Sequence, residues 1–431
     1  MRDGIVPKSL VTSSSHYHRQ AHGIVPPNGV RIHVAGVDLV RDEVGKFHVL
    51  EDNLRSPSGV SYVLENRRTL AHVVPEVFAG YRVSPVTEYP ERLYRALAAA
   101  APRDVHDPTV VVLTPGVYNS AHFEHAFLAR RMGAELVEGR DLFCRGGFVY
   151  MRTTQGPQPV HVIYRRLDDE YLDPVQFRGD SVLGVPGLLN AARAGAVTIA
   201  NGVGNGVADD KALYPYVPKI IEYYLGEKAI LHNVATHDLT DPDVRAHVLE
   251  RLDKMVIKPV DGSGGYGLVI GPKATEAELE EVAAAIIADP RSWIAQPVVT
   301  LSTSPTVGTG GAVQPRHLDL RPFAVNDGKK IWVLPGGLTR VAMNAGSLVV
   351  NSSQGGGSKD TWVLAGTGEE EDGASLSAEA VLEARRLNRG LPTGGPITPR
   401  VSLPHTHEAR MRQQEEQQQQ QATDEVVPDV T

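Results

Sequence analysis

A lysine stands directly before a glycine-rich segment in the second half of the chain. Residues 258–267 read Lys-Pro-Val-Asp-Gly-Ser-Gly-Gly-Tyr-Gly and satisfy the pattern G-x-G-x-x-G. Glycines at this spacing let backbone N–H groups approach phosphate oxygens closely, and a lysine ammonium adds the positive charge that phosphate attracts. The pattern predicts a phosphate-binding flap made by Lys258, Gly262, Ser263, Gly264, Gly265, Tyr266 and Gly267.

The flanks of this segment distinguish two kinds of glycine loop. A dinucleotide-binding loop runs directly into a helix, whose N-terminus meets the pyrophosphate. Here the glycines run into the apolar residues 268–270, which Pro272 follows, so a strand is expected instead. A kinase arrangement does not fit, because its lysine follows the loop and its H-R-D and D-F-G motifs are absent from this sequence. A glycine-rich hairpin with an exposed lysine is the structural alternative.

A second group of polar residues lies near the start of the chain. Asp38 lies in an alternating strand pattern, Glu51 ends the strand that returns after a short turn, and Asn53 opens the loop that follows. Residues two apart on a strand point to one face, and a hairpin would bring Asp38 opposite them. Two carboxylates and an amide are oxygen donors of the kind that Mg²⁺ binds beside nucleotide phosphates. The alternative is an exposed polar face of the hairpin.

Composition narrows the class of protein. The chain has 431 residues, 42% of them hydrophobic and 22% charged, with a net charge of −8, which is typical of a globular protein. This charge disfavours a uniformly basic binder of nucleic acids or anionic membranes. The single Cys144 excludes a disulfide framework and a Cys₄ or Cys₂His₂ zinc site. No apolar run has the length of a membrane span and no secretory leader is visible, so we expect a cytoplasmic protein without membrane or nucleic-acid partners.

Two kinds of secondary-structure pattern surround the candidate site residues. Residues 109–113 form an apolar run, residues 120–132 a helical pattern and residues 135–137 another short strand, which is one βαβ unit and predicts a parallel sheet. Residues 255–350 differ, because short strands there surround a single helix that a Thr275–Glu278 capping box opens. The sequence therefore predicts both α/β and α+β regions.

Taken together, these pieces resemble the circularly permuted branch of the ATP-grasp superfamily, which includes glutathionylspermidine synthetase and many bacterial proteins. The resemblance covers residues 24–364. Its motifs are the segments 33–42, 49–60, 256–259 with the glycine loop, 294–297 and 318–323. The acidic residues here precede the lysine, which is the order that the permutation implies.

The resemblance implies a role for each matching residue. It implies that Asp38, Glu51 and Asn53 hold Mg²⁺, that Lys258 and Lys211 contact the ATP phosphates, that Gln296 lies beside the adenine, and that Arg321 and Arg340 meet the transferred phosphate. For Lys211 the alternative is a surface lysine at a helix start, and for Gln296 an amide at a strand end. For either arginine it is a solvated strand residue.

Four further residues are candidates for substrate contact. Arg55 and Ser58 follow the proposed metal ligands in a Ser/Pro/Gly loop, where they would hold the acceptor carboxylate, or form a structural turn. Tyr118 and Glu124 stand where the loop of the βαβ unit enters its helix, the end at which α/β folds bind ligands. Packing at the helix start is the alternative for this pair.

The resemblance also implies a domain order. Residues 1–29 are expected to be an irregular lead-in, 30–70 the metal hairpin of the ATP-grasp core, 71–230 an inserted α/β substrate domain that resembles the one preceding ordinary ATP-grasp cores, and 231–364 the nucleotide-binding subdomains. Residues 365–431 are rich in Gly, Pro, Gln and acidic residues, and are expected to be mostly disordered.

The function implied is that of an ATP- and Mg²⁺-dependent ligase. ATP-grasp ligases form an acylphosphate from a carboxylate, and an amine then displaces phosphate to give an amide or peptide bond, with release of ADP. The substrates would be small molecules or peptides. Two alternatives remain open at this point: an inactive nucleotide-binding relative that acts as a partner protein, and a kinase for a small molecule.

Overall fold

A computed structural model describes most of the chain. The described residues are 1–261, 267–308, 311–344, 346–347, 350, 356–365, 409, 411–414 and 416. Residues Gly262, Ser263, Gly264, Gly265 and Tyr266 of the predicted flap lie outside this set, as does most of the C-terminal segment expected to be disordered.

The described part contains helices and strands in mixed order. The helices are α1 (Lys8–Thr12), α2 (Val60–Val73), α3 (Pro75–Ala79), α4 (Tyr89–Ala98), α5 (His122–Met132), α6 (Asp169–Leu172), α7 (Leu188–Arg193), α8 (Gly206–Asp209), α9 (Val217–Leu225), α10 (Pro242–Leu249) and α11 (Glu276–Ala288). Short 3₁₀ helices span Arg19–Ala21, Gly139–Asp141, Lys211–Tyr216, Leu252–Lys254, Gly271–Lys273 and Pro290–Ser292.

The strands form four sheets within the described residues. The strands are β1 (Val34–Arg41), β2 (Phe47–Asn53), β3 (Val110–Leu113), β4 (Glu135–Val137), β5 (Leu142–Arg145), β6 (Phe148–Thr153), β7 (Gly156–Val160), β8 (Val162–Arg165), β9 (Thr198–Ala200), β10 (His232–Asn233), β11 (His237–Asp238), β12 (Met255–Pro259), β13 (Val269–Ile270), β14 (Trp293–Pro297), β15 (Thr303–Val307), β16 (Val313–Arg321), β17 (Phe323–Asn326), β18 (Ile331–Val333), β19 (Leu338–Val341) and β20 (Gly357–Asp360). The predicted mixture of α/β and α+β architecture is therefore present.

The largest sheet is built around the N-terminal hairpin. Its main path runs β10-β2-β1-β16-β19-β20, with β15 on β16 and β17 joining β1 to β18. Strands β1 and β2 are antiparallel, and their register places Asp38 opposite Glu51. The hairpin turn is closed by the Asp42 carboxylate, which accepts from the backbone N–H groups of Val44 at 3.1 Å and Lys46 at 2.7 Å.

The α/β region has the parallel sheet that its sequence pattern predicts. The strand order is β4-β3-β8-β9, and all neighbours are parallel. Residues Val110–Leu113 are buried on both faces, as expected for a strand covered by helices on each side. Helix α5 ends at Gly133, whose φ of 69° is the left-handed conformation that glycine adopts readily at a helix C-terminus. The predicted βαβ unit is confirmed.

One apolar core connects the large sheet to the parallel sheet. Val34 and Phe323 from the large sheet pack with Leu64 of α2, Leu93 of α4 and Val112 of β3 in a single buried cluster. The N-terminal hairpin and the parallel sheet are thus joined through a shared core.

The third sheet carries the lysine strand. Its order is β11-β14-β12-β13, and Val282 and Ile286 of α11 are buried against it. The predicted capping box is present, since Thr275 Oγ1 accepts from the N–H of Glu278 at 3.3 Å and the Glu278 carboxylate accepts from the N–H of Thr275 at 2.7 Å. Among the described residues, no helix combines the length and the apolar character needed to cross a lipid bilayer.

Parts of both chain ends pack against the rest of the protein. The lead-in contains α1, and Val6 and Leu10 pack with Val260 and Ile294 of the lysine sheet. At the other end, Gln413 and Gln414 are buried against the α/β region, although most of the segment from 365 onward lies outside the described residues. The lead-in is thus irregular except for α1 and the 3₁₀ helix Arg19–Ala21.

Candidate active site

Two arginines converge on the first predicted metal ligand. Asp38 is 1% exposed, and Arg321 donates to it through Nε at 2.5 Å and Nη2 at 2.8 Å. Arg340 donates through Nη2 to the same carboxylate at 2.5 Å. Burial alone would raise the pKa of Asp38, but the two guanidinium groups hold it well below its usual range. Neither arginine is a solvated strand residue, since both are buried.

A second carboxylate, which the sequence analysis did not single out, completes this network. Asp319 accepts from Arg340 Nε at 2.9 Å and is 3% exposed. Burial raises the pKa of Asp319 to about 6, although Arg340 opposes the shift. Asp319 and Arg340 are directly opposite on β16 and β19. Asp319 could therefore have been found from the sequence only by predicting that these two strands pair.

The three expected metal ligands lie on neighbouring positions of the hairpin. Asp38 is opposite Glu51, and Asn53 follows two residues later on β2. The buried Asn53 Nδ2 atom has no hydrogen-bond partner among the described residues. No group of three or more His, Cys, Asp or Glu side chains in this part of the chain is placed to hold a metal. Two carboxylates with one amide oxygen match the donor set of Mg²⁺, which takes only one or two protein carboxylates when phosphate and water oxygens complete its shell. Asp38 would share its oxygens between the metal and the two arginines, whereas Glu51 has no such pairing with an arginine among the described residues.

Two lysines approach Glu51 from the other side. Lys211 Nζ lies 3.9 Å from Glu51 Oε2. Burial lowers the pKa of Lys258 on β12 to about 8, with Lys211 adding to the shift and Glu51 opposing it. The structure thus brings Lys211 and Lys258, 47 positions apart in sequence, to the same carboxylate. Lys211 is buried rather than a surface residue at a helix start.

The ends of the glycine loop are fixed on both sides. Asp261, directly before the loop, accepts from Ser15 Oγ of the lead-in at 2.7 Å. Gly267, directly after it, has a φ of 65°, which a side chain would strain. The loop therefore starts and ends at constrained points on the sheet that carries Lys258.

The expected adenine contact lies inside the same sheet. Gln296 on β14 is opposite Val256 of β12 and is 2% exposed. Its Nε2 donates to Thr236 Oγ1 at 2.9 Å, which fixes the orientation of the amide. A role beside adenine remains a proposal.

The loop after β2 is held at every residue expected to contact the acceptor. Arg55 Nε lies 3.4 Å from Asp168 Oδ1, and its backbone N–H donates to Asp209. The Ser58 carbonyl accepts from Arg321 Nη1 at 3.1 Å, and its hydroxyl accepts from Arg166. Burial raises the pKa of Asp209 to about 7, while Arg55 opposes the shift. Arg55 and Ser58 therefore stand in a preorganised loop beside Arg321.

The last two candidates from the sequence have different environments. Tyr118 is 43% exposed at the loop after β3, where a ligand has access to it. Glu124 is 2% exposed, and its Oε2 accepts from the N–H groups of Gly59 at 2.8 Å and Ser61 at 3.0 Å. Glu124 therefore anchors the start of α2, which favours the packing alternative over substrate contact.

Two residues that the sequence analysis missed hold this loop in place. The Arg166 guanidinium donates to the Pro57 carbonyl at 2.9 Å and lies 3.3 Å from Glu124. Asn201 donates through Nδ2 to the carbonyls of Val34 at 2.7 Å and Leu54 at 2.8 Å. Both follow strands of the parallel sheet, so residues at the carboxyl ends of β8 and β9 position the hairpin. Their position directly after apolar strand runs was the only sequence signal for them.

A family model and several known proteins match this chain. A family model described as circularly permuted ATP-grasp type 2 matches residues 1–342. The uncharacterized protein Rv2411c of Mycobacterium tuberculosis is 66% identical over 365 residues, which is 85% of this chain and 66% of that protein. The chain thus spans just under two thirds of the length of this relative.

Two further similarities concern ligases. A Frankia casuarinae protein with the provisional name glutamate--cysteine ligase 2-2 is 47% identical over 363 residues, 84% of this chain and 42% of that protein. The apo structure of a glutathione synthetase like-effector (GSS30) from Globodera pallida matches with a TM-score of 0.52 at 12% identity, over 83% of each chain. At this identity the likeness concerns the fold alone.

Proposed function

Because the chain belongs to the circularly permuted ATP-grasp type 2 family, a family of ATP-dependent ligases, we propose that it joins a carboxylate to an amine. The reaction would use ATP and Mg²⁺, pass through an acylphosphate and release ADP and phosphate. The Frankia relative with a ligase name supports this reaction class, although that name belongs to a protein more than twice as long as the matched segment.

One observation carries the proposal: Glu51 stands between the arginine network and the lysines. Asp38, held by Arg321 and Arg340, is opposite it on the hairpin, and Lys211 approaches from the lysine side. Phosphoryl transfer needs charge neutralisation around the phosphate and in-line positioning rather than a protein nucleophile. This set of residue types supplies both.

Each residue has a distinct task in the proposed reaction. Lys258 and Lys211 bind the ATP phosphates, and the glycine flap covers them. Asp38, Glu51 and Asn53 would hold Mg²⁺, which when bound supplies charge neutralisation on the phosphate oxygens. Arg321 and Arg340 stabilise negative charge that develops on the transferred phosphate, because their guanidinium groups are already oriented by Asp38 and Asp319.

The substrates would bind at the parallel sheet. Arg55 carries a fixed positive charge beside the hairpin and would hold the acceptor carboxylate, with Ser58 orienting it. Tyr118 is exposed at the carboxyl edge of the sheet, the usual position for ligands in α/β folds. We propose small molecules or peptides with a free carboxylate and an amine as the substrate class.

The proposed domain arrangement follows from the path of the largest sheet. Strands β1 and β2 precede the α/β region, whereas β10, which pairs with β2, follows it. The chain thus leaves this sheet before residue 71 and returns to it after residue 230, which supports an α/β substrate domain inserted between the metal hairpin and the nucleotide-binding subdomains.

The nucleotide site is tested by calorimetric titration with ATP, with and without Mg²⁺. We expect binding that Mg²⁺ strengthens and that Lys258→Ala weakens by about 10- to 100-fold, since a charge-assisted contact to phosphate is lost. The matched control is Lys254→Ala, an exposed lysine that enters the same sheet. Equal affinity of Lys258→Ala and the wild type would contradict the assignment.

The reaction class is tested by trapping with hydroxylamine. Incubation with ATP, Mg²⁺ and either L-glutamate or short peptides that end in glutamate should yield a hydroxamate and ADP, because hydroxylamine captures an acylphosphate. ADP formed without hydroxamate would contradict an acylphosphate intermediate. Glu51→Gln should reduce the dependence on Mg²⁺, and unchanged dependence would place the metal elsewhere.

A further inference from the structure

Two glutamines near the C-terminus are buried against the α/β region. Gln413 and Gln414 are 5% and 2% exposed, although they belong to a segment composed almost entirely of Gln and Glu. Burying a carboxamide is unfavourable unless its polar atoms find partners, so glutamines usually stay at the surface. Three of their four amide atoms have hydrogen-bond partners among the described residues, and Gln414 Oε1 has none there.

The partners are main-chain groups of two separate loops. Gln413 Oε1 accepts from the N–H of Val182 at 2.7 Å, and its Nε2 donates to the Asp180 carbonyl. Gln414 Nε2 donates to the Pro115 carbonyl. A carboxamide satisfies such a set because it has both N–H donors and a carbonyl acceptor, whereas a carboxylate has no donor for the two carbonyls.

A charged contact extends the recognition beyond the two amides. Arg178 lies 3.0 Å from Glu416 Oε2 and 3.0 Å from Asp180 Oδ2. The surface thus binds two adjacent glutamines and a glutamate two residues after them. The contact between Arg178 and Glu416 fixes which residues of the tail face which residues of the surface.

The receiving surface is formed at the carboxyl edge of the parallel sheet. Pro115 follows β3, and the loop with Asp180 and Val182 follows β8 and α6. Gly116 has a φ of 122°, and a Cβ atom there would stand 2.6 Å from Gln414 Nε2. The missing side chain at Gly116 therefore makes the space that the glutamine fills, two residues before Tyr118.

We propose that this edge is a binding site for a peptide with two adjacent glutamines and a following glutamate, and that Gln413, Gln414 and Glu416 of the chain occupy it in cis. The occupied edge is the one at which α/β folds bind ligands. A peptide of the same chemistry supplied by another molecule would have to displace the tail. This proposal stands apart from the nucleotide chemistry and does not require it.

The test uses the full chain and two double variants with equal charge change. Gln413→Glu with Gln414→Glu removes the donors to Asp180 and Pro115 and should release the tail. Gln419→Glu with Gln420→Glu is the matched control. A fluorescent peptide with the sequence of residues 409–418 should bind the released variant more than about tenfold more tightly than the wild type or the control, because the cis competitor is gone.

A second measurement follows the tail itself. Trypsin cleavage after Arg412, followed by mass spectrometry, should be more than about tenfold faster in the released variant than in the control variant, at equal melting temperatures. Equal cleavage rates in the two variants would overturn the proposal. Peptide binding of equal strength to the wild type and the released variant, or no binding to either, would overturn it as well.

Discussion

The arginine side and the lysine side of the candidate site differ in how they accommodate buried charge. On the arginine side, Asp38 and Asp319 are bonded to Arg321 and Arg340 with donor–acceptor distances of 2.5–3.1 Å. On the lysine side, the pKa of Lys258 falls to about 8 because burial is only partly compensated by Glu51. The charges on the arginine side are neutralised within the protein, whereas the charge of Lys258 would be stabilised by a bound anion.

The arginine-side charges are thus paired before any ligand binds, whereas the charge of Lys258 is paired fully only when an anion is added. A guanidinium forms several fixed hydrogen bonds to carboxylates and stays charged even when it is buried. An ammonium loses its proton more readily on burial, and a phosphate nearby restores the charged state. We therefore expect mutations on the arginine side to change stability first, and mutations on the lysine side to change ligand binding first.

Asp38→Ala should cause the largest effect, a loss of unfolding free energy of about 3–5 kcal/mol, because two buried guanidinium groups lose their shared carboxylate. Urea denaturation followed by circular dichroism measures it. Asp42→Ala, in the hairpin turn of the same sheet, is the control and should lose much less, because solvent can replace the hydrogen bonds of its carboxylate. If Asp38→Ala loses no more unfolding free energy than the control, the arginine side does not support the fold.

Lys258→Met should act in the opposite direction on stability. The free energy of unfolding at pH 7 should rise by about 1–3 kcal/mol, because the folded state no longer carries a desolvated ammonium whose pKa is depressed. The same variant should lose ATP affinity. A protein that is destabilised by Lys258→Met would show that this lysine supports the fold, and the distinction between the two sides would fail.

The sequence allowed prediction of elements that depend on nearby residues. The hairpin with Asp38 opposite Glu51, the capping box at Thr275 and the βαβ unit after residue 109 all follow from spacing along short segments, and the structure contains them. Local hydrogen bonds and strand periodicity determine these features, so a single sequence is sufficient to find them.

The contacts that position the site are of another kind. Arg166 reaches Glu124 and Pro57, and Asn201 reaches Val34, over separations of 42 to 167 residues. The burial of Gln414 likewise depends on Pro115, 299 residues earlier in the chain. No spacing rule relates such partners, because they meet only after two sheets have packed. A glutamine-rich segment therefore gave no sign in the sequence that it would be buried.

The smallest predicted effect concerns pH, and it tests the lysine side without disturbing the fold. With a pKa of about 8, Lys258 is mostly charged at pH 7.5 and mostly neutral at pH 9. Phosphate binds the charged form and raises the pKa in the complex, so binding must take up a proton above pH 8. ATP affinity should therefore fall by about tenfold between pH 7.5 and pH 9.

Titrations in two buffers with different ionisation enthalpies measure that proton uptake directly. In Lys258→Arg, whose guanidinium keeps its charge throughout this range, the affinity should vary little with pH. If the wild type and Lys258→Arg lose affinity equally, the titrating group is elsewhere in the site. A flat profile in the wild type, with no proton uptake, would instead mean that Lys258 is not desolvated in the free protein, and the two sides would then bury their charges in the same way.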